Sequence, residues 1–280
     1  MSTARAQESK LHLLGAAQFQ DADKYSSYLK TTAGRLRCEL AWKNLRGFLP
    51  VGGSRLRVLD LGGGTGFVSV RLARMEFQVV LLDSSEEMLG IARKEAEASG
   101  VAARIAFCHA DAGQLRELFE AESFDIVICH NLLEYVADPG AIVRSVACVL
   151  RKNAVVSVLV RNRAGEVLKA AIKSDDWGLA KANLAAETVV DSLFGKPVRV
   201  FDPADILDML APAGLAVVAE YGVRVFSDYL DSENLDGEAH RQLLELESIL
   251  GSRGQFAAIA RYMQMIARRS SASTDEETGR

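Results

Sequence analysis

The stretch VLDLGGGTGFVSVRLA, residues 58 to 73, passes from an apolar segment into Gly62, Gly63, Gly64 and Gly66 and then resumes with helical spacing. Glycine tolerates positive φ and lets a ligand approach the main chain, so a glycine-rich turn between a strand and a helix is either a tight structural turn or a seat for a nucleotide or nucleoside. Two carboxylates narrow the choice. Asp60, two residues before the glycines, would repel a pyrophosphate and favours, directly or through water, a ligand with a cationic amino-acid end. Asp83 closes the next apolar segment, where an acidic residue accepts hydrogen bonds from ribose hydroxyls. A nucleoside carrying an amino-acid cation satisfies both. The competing ligand is a dinucleotide, because Gly64 to Ser69 approaches the G-x-G-x-x-G pattern; its third small position is Ser69, and Asp60 is misplaced for phosphate.

The elements that must hold these residues are legible in the hydrophobic spacing. Apolar residues predict a helix over 23–49, then strands over 57–61, 78–83, 104–109, 124–129 and 154–160, with helices over 66–75, 86–99 and 139–150 between them. A helix over 203–210, a strand over 215–221, a helix over 237–249 and a strand over 259–267 complete the pattern. Short apolar strands alternating with helices predict an α/β fold, a doubly wound, mostly parallel, seven-stranded sheet covered on both faces. Residues 162–197 interrupt it with a charged, mostly helical insertion, so 21–269 reads as one domain with an N-terminal helical segment, between a flexible N-terminus (1–20) and a disordered tail (270–280). In this frame His130 stands at the carboxyl end of the fourth strand, where the crevice opens, and suits a base, a hydrogen-bond donor or a wall residue. Glu134 and Tyr135, just beyond, read as structural. Arg37 precedes an apolar helix face and could clamp a carboxylate with two parallel donors or sit in a surface salt bridge.

Composition sets the outer limits. At 280 residues, 49% of them hydrophobic, the chain can bury a sizeable core, and a formal net charge of −4 advertises no polyanion partner. Cys38, Cys108, Cys129 and Cys148 have no C-x-x-C spacing, which suits reduced thiols in a cytoplasm and predicts no metal site. No apolar signal core opens the sequence and no apolar run is long enough to span a bilayer, so neither secretion nor membrane insertion is expected.

The stretch from Val58 to Asp83, followed by FDIVICHNLLEYV, resembles the class I S-adenosylmethionine-dependent methyltransferases, with their Rossmann-like fold. That resemblance implies S-adenosyl-L-methionine as cofactor, with His109 to Ala112 flanking the adenine, Asp111 at its exocyclic amine, and Ser84 and Met88 in the same site. TTAGRLRCELAW, LEYVADP, GVRVFSDYL, LLELE and ARYMQMIAR are further similar, in wording and order, to the bacterial tRNA 5-carboxymethoxyuridine methyltransferase family. By that resemblance Arg37 reaches the methionine carboxylate of the cofactor, Gly62 and Gly63 its main chain, and Asp83 its ribose. His130 forms the floor near the methyl group and Arg224 meets the substrate, a carboxylate on a modified wobble uridine of tRNA.

Two other functions remain open at this point: a small-molecule O- or N-methyltransferase with the insertion as a lid, and a non-catalytic module that keeps the fold for binding. A carboxylate acceptor is already ionised at neutral pH and needs no base, whereas a hydroxyl or amine would make His130 the natural one. The family's lysine-rich run before the late D-P is thin here, with only Lys196 and Arg199 in SLFGKPVRVFDP. Arg161, Arg163, Lys169, Lys173 and Lys181 offer a substitute surface on the insertion, interleaved with Glu166, Asp175, Asp176, Glu187 and Asp191. Trp177 and Phe194 are candidates to stack on a base, with packing as their ordinary role.

Overall fold

The computed structural model describes residues 22–50, 52, 55–230 and 235–270; the expected flexible N-terminus and, past Ser270, the expected disordered tail lie outside the described residues. The first expected helix is two, α1 (Ala22–Lys30) and α2 (Thr32–Arg46), and the break has a local cause. The Thr31 hydroxyl caps α2 by accepting from Gly34 N at 3.1 Å and donates back to the Tyr28 carbonyl at 2.7 Å. A Cβ on Gly34 would lie 2.1 Å from that carbonyl, so only glycine lets α1 fold this tightly onto α2.

From there strands and helices alternate: β1 (Arg57–Leu61), α3 (Phe67–Arg74), β2 (Gln78–Asp83), α4 (Glu86–Ala98), β3 (Ile105–His109), α5 (Leu115–Leu118), β4 (Phe124–His130), α6 (Pro139–Val149) and β5 (Leu150–Arg161). The insertion follows as α7 (Arg163–Leu168), a π-helical turn (Lys169–Lys173) and α8 (Trp177–Asn183). Contrary to the mostly helical expectation, it closes with a small hairpin of β6 (Thr188–Val190) and β7 (Pro197–Arg199). The β-branched Thr-Val-Val favours extended backbone, and Asp191 builds the turn by accepting from the amides of Leu193 and Phe194 at 2.7 and 2.8 Å. The remaining elements are α9 (Pro203–Leu210), β8 (Leu215–Val223), α10 (Gly237–Gly251), α11 (Gly254–Ala257) and β9 (Tyr262–Arg269).

The main sheet has seven strands in the order β3-β2-β1-β4-β5-β9-β8. Pairings from β3 through β5 are parallel, while β9 runs antiparallel between β5 and β8. Period-2 alternation splits the central strands between two apolar layers. Leu59, Leu61 and Val127 pack with Ile142 and Val146 of α6 and Leu210 of α9, whereas Val58, Ile126 and Ile128 pack with Leu72 of α3 and Leu89 of α4. Each such side chain contributes about 1.5–3 kcal/mol of transfer free energy when fully buried. The sheet therefore serves as a rigid base. The register of β5, β9 and β8 aligns Arg161 with Tyr262 and Tyr262 with Val223, so the carboxyl ends of β5 and β8 and the start of β9 share one edge with the ends of β1, β2 and β4. Ligands in such folds bind along that edge.

Candidate active site

A cavity of about 580 Å³ opens along this edge. Its first half lies over the ends of β1, β2 and β3 and gathers Gly62, Gly64, Asp83, Ser84, Met88, Asp111 and Ala112, all singled out by the sequence. Gly64 has φ +53, and its N–H donates to Asp83 Oδ2 at 2.8 Å, while Ser85 N donates to Oδ1 at 2.9 Å. The carboxylate is thereby held at the end of β2 with lone pairs left over for hydroxyl groups. Asp111 has one oxygen committed to Gly113 N at 2.7 Å. The apolar side chain of Met88 and the bare backbone of Gly62 and Gly64 complete a seat whose shape and acceptor set fit a nucleoside.

Three expected site residues stand behind this wall and do not line the cavity. Asp60 is buried beneath the glycine turn, accepts from the Ser69 hydroxyl at 2.6 Å, and has its carboxyl pushed up to about 6 by burial. A Cβ on Gly63 would lie 2.8 Å from the Asp60 carboxyl carbon, and one on Gly66 would lie 3.0 Å from Ala92 of α4. Asp60 thus shapes the turn from below, with no face on the cavity for a direct contact to a cationic ligand.

His130 sits midway along the cavity, at the end of the central strand β4, and the chain turns left-handed right after it, with Asn131 at φ +52. Its Nε2 lies 2.7 Å from Ser157 Oγ. Ser157 in turn accepts from Gln264 Nε2 at 3.0 Å, and the Gln264 amide is oriented by the Ala41 carbonyl and by Asn44, both at 3.0 Å. The Gln264–Ser157 chain thus fixes the imidazole's orientation through its Nε2. Burial, reinforced by Arg37, pushes the imidazolium pKa down to about 3, so the ring is neutral throughout the physiological range. Glu134 is structural, as expected: it is buried and accepts from Asn131 Nδ2 and Arg161 N, each at 3.0 Å.

The second half of the cavity, at the ends of β5, β8 and β9, is strongly cationic. Arg37, Arg161 and Arg224 each place their guanidinium carbon 5.6–5.9 Å from the centre of the Tyr262 ring. Arg37 also donates to the Tyr25 hydroxyl at 2.8 Å, and Arg224 to the Tyr28 hydroxyl at 2.9 Å, so α1 covers both arginines. Arg161 pairs with Glu166 and Asp191, Arg261 with Glu166 at 2.5 Å, and Arg224 with Asp228. The acids do not cancel the field. Burial alone would raise the Tyr262 phenol, yet the four arginines pull it down to about 8, and burial with Arg261 lowers the Lys169 ammonium. This half suits an anion.

Arg37 and Arg224 therefore meet in one cavity as the sequence implied, but it left Tyr25, Tyr28, Arg261 and Tyr262 unmarked. A Tyr-x-x-Tyr pair beside a helix cap, and an Arg-Tyr pair opening a strand in ARYMQMIAR, were the available signals. Arg161 corrects an expectation: it is buried inside the cavity wall, not on an outer surface. On the insertion, Lys169, Lys173 and Phe194 line the cavity, and Trp177, for which packing was the default, is 74% exposed.

A family model described as a methyltransferase domain matches residues 53–195. The chain is 31% identical over 251 residues to the tRNA 5-carboxymethoxyuridine methyltransferase of Escherichia coli (strain K12), which covers 89% of this chain and 94% of that protein. It is 36% identical over 204 residues to the ubiquinone biosynthesis O-methyltransferase of Rhizobium rhizogenes (strain K84), with 71% and 74% covered. Among solved structures, an S-adenosylmethionine-dependent methyltransferase from Mesorhizobium loti shares the fold with a TM-score of 0.58 at 20% identity, over 82% of this chain and 98% of that one.

Proposed function

The chain belongs to the S-adenosylmethionine-dependent methyltransferases, and from that premise we propose that its acceptor is a carboxylate, the one carried by a modified wobble uridine of tRNA. The observation that carries this reading is the cationic half of the cavity, where Arg161, Arg224 and Arg261 converge on Tyr262. In the nucleoside half, Asp83 would accept from the ribose hydroxyls and Asp111 from the adenine amine, with Gly62, Gly64, Ala112, Ser84 and Met88 as walls. Arg37 would hold the methionine carboxylate. When bound, S-adenosylmethionine supplies an electrophilic methyl group on a sulfonium.

The protein's part is to place an acceptor oxygen in line with that methyl and to exclude water. Arg224, with Arg161 and Arg261 behind it, would orient the acceptor carboxylate, and α1 would close over it through Tyr28. An ionised carboxylate has no proton to lose, so no base is required. A neutral His130 with its pKa near 3 is poorly matched to deprotonating a hydroxyl at neutral pH, which supports the carboxylate over a phenol.

RNA as the carrier of that carboxylate is supported by the mouth of the cavity. Lys169 and Lys173 stand on the π-helical turn and Trp177 on the next helix, while several acids of the insertion are engaged elsewhere: Glu166 and Asp191 in the arginine cluster, Asp176 as the α8 cap accepting from Leu179 N at 2.8 Å. The E. coli relative is named for action on tRNA, which further supports this reading and a cytoplasmic place of work. Among the described residues no helix is long and apolar enough to cross a membrane.

The test uses bulk bacterial tRNA whose methyl esters have been hydrolysed with mild alkali. Methyl transfer should be alkali-labile and should fall steeply with salt, as binding through several phosphates requires. No transfer to this tRNA, with transfer to a small phenolic or amine metabolite, would overturn the proposal.

A further inference from the structure

The loop after β8 that carries Arg224 is held by a carboxylate from another element. Glu247, in the middle of α10, is fully buried. Its Oε2 accepts from Val225 N at 2.6 Å, and its Oε1 accepts from Phe226 N at 3.1 Å and Ser227 N at 2.7 Å. Three consecutive amides thus converge on one anion, the arrangement of an anion-binding nest filled by the protein's own side chain. Among the described residues, no ion pair includes Glu247.

A carboxylate is a costly residue at that point. The buried stripe of α10 is Leu243, Glu247 and Gly251, and an apolar side chain at the middle position would pack without losing hydration. The helix is already fixed by other means. A Cβ on Gly251 would lie 2.2 Å from the Gly222 carbonyl, so α10 meets the end of β8 backbone against backbone. What Glu247 adds is control of the next few residues. Arg224 sits at φ +63, a strained value for a non-glycine residue, and its carbonyl accepts from Arg261 N at 2.8 Å. From this turn the Arg224 guanidinium reaches Tyr28 and Asp228 and lies over Tyr262, inside the cavity, whereas Glu247 is outside its lining.

We propose that Glu247 is a positioning residue for the acceptor: by ordering the amides of residues 225–227 it sets the turn that aims Arg224. The proposal rests on the reading of Arg224 as the contact to the acceptor carboxylate. It predicts a division of effects that a general loss of packing would not give, because the residues of the nucleoside half lie on other strands.

The experiment compares Glu247→Gln and Glu247→Asp with wild type. Gln keeps the shape and turns one acceptor into a donor facing N–H groups; Asp keeps the charge but withdraws it by one carbon, and serves if Gln fails to fold. Hydrogen exchange of the segment 224–229 should accelerate by about tenfold or more, since these amides lose a charged acceptor. With alkali-treated tRNA as acceptor, KM should rise about tenfold with a smaller change in kcat, while the Kd for S-adenosylmethionine stays within about twofold. In an Arg224→Lys background, which already lacks the directional fork, Glu247→Gln should add less than about twofold, because residues acting through one contact are not additive. Unchanged exchange in this segment overturns the proposal whatever the acceptor, and so does a parallel loss of cofactor affinity or full additivity with Arg224→Lys. Failure of the wild-type enzyme to methylate this tRNA would instead strike the acceptor reading on which the proposal rests.

Discussion

Replacing Arg224 by alanine tests whether it serves folding, catalysis or both. Its side chain is 6% exposed and pairs with Asp228, which is 12% exposed. Removing the guanidinium strands that carboxylate with Arg261 Nε, 3.7 Å away, as the other cation in reach. Breaking a buried pair by deleting one partner costs about 3–5 kcal/mol, and the residual contact to Arg261 places the expected loss near the lower end. The lost bond from Arg224 to the Tyr28 hydroxyl adds roughly 1 kcal/mol. Arg224→Ala/Asp228→Ala removes the stranded charge as well, so it should recover at least half of that loss. Function should not recover with it. A charge-assisted bond to the acceptor is worth about 1.5–3 kcal/mol, so kcat/KM for the acceptor should stay about 10- to 150-fold low in the double variant while cofactor affinity holds. Arg224→Lys keeps Asp228 paired but lacks the planar fork, and should be stable and only partly active. Urea denaturation and steady-state kinetics on the same preparations read both quantities. A double variant as unstable as the single one would refute the ion-pair argument, and one with wild-type kcat/KM would refute the acceptor contact.

Asp83→Ala should weaken S-adenosylmethionine binding by about 1–3 kcal/mol in calorimetry, because the ribose acceptor goes and the Gly64 amide loses its partner; wild-type affinity would remove Asp83 from the site. His130→Ala should lose rate through misplacement and gain nothing from added imidazole, and the wild-type rate should show no His130 titration between pH 6 and pH 9, given a ring pKa near 3. Rescue by imidazole would reveal a proton being removed and a hydroxyl or amine acceptor. Asp60 has a folded pKa of about 6 against an ordinary 3.8, so the fold favours its protonated form. Its contribution is therefore fully present below about pH 4 and lost as pH rises through 6, and Asp60→Asn should gain on wild type across that window by on the order of 3 kcal/mol. A stability difference independent of pH would show that Asp60 is not held in this way.

The fold, the glycine turn and Asp83 were readable from sequence because their signals are local, whereas Ser84, Met88, Asp111 and Ala112 came through resemblance. β1, the glycine turn and Asp83 fall within one stretch of strand-turn-helix-strand, where periodicity and residue type report directly on position. The break at Thr31 was missed because the apolar spacing continues through it; the deciding fact is the contact of Gly34 with the Tyr28 carbonyl, which belongs to packing rather than to pattern. The hairpin of β6 and β7 was hidden in a charged stretch whose strands are only three residues each. The cationic half was the least legible. Arg161, Arg224 and Tyr262 come together through the pairing of β5, β9 and β8, and no local window of sequence contains that pairing. Arg224 was found only through resemblance.

The insertion of β9 between β5 and β8 also sets an order of acquisition during synthesis. A growing chain has the residues of the nucleoside half in hand by Ala112, but Arg261 and Tyr262 leave the ribosome more than a hundred residues later. Until then β5 presents an open edge, a template for pairing with other chains, and β8 has no neighbour to join it to the sheet. A chain cut short between α10 and Arg261 would retain the glycine turn and Asp83 but lack Tyr262 and the strand that brings Arg224 beside Arg161. Translation thus delivers Tyr262 last among the residues of the cationic half, and the strand that carries it is the same one that seals the sheet.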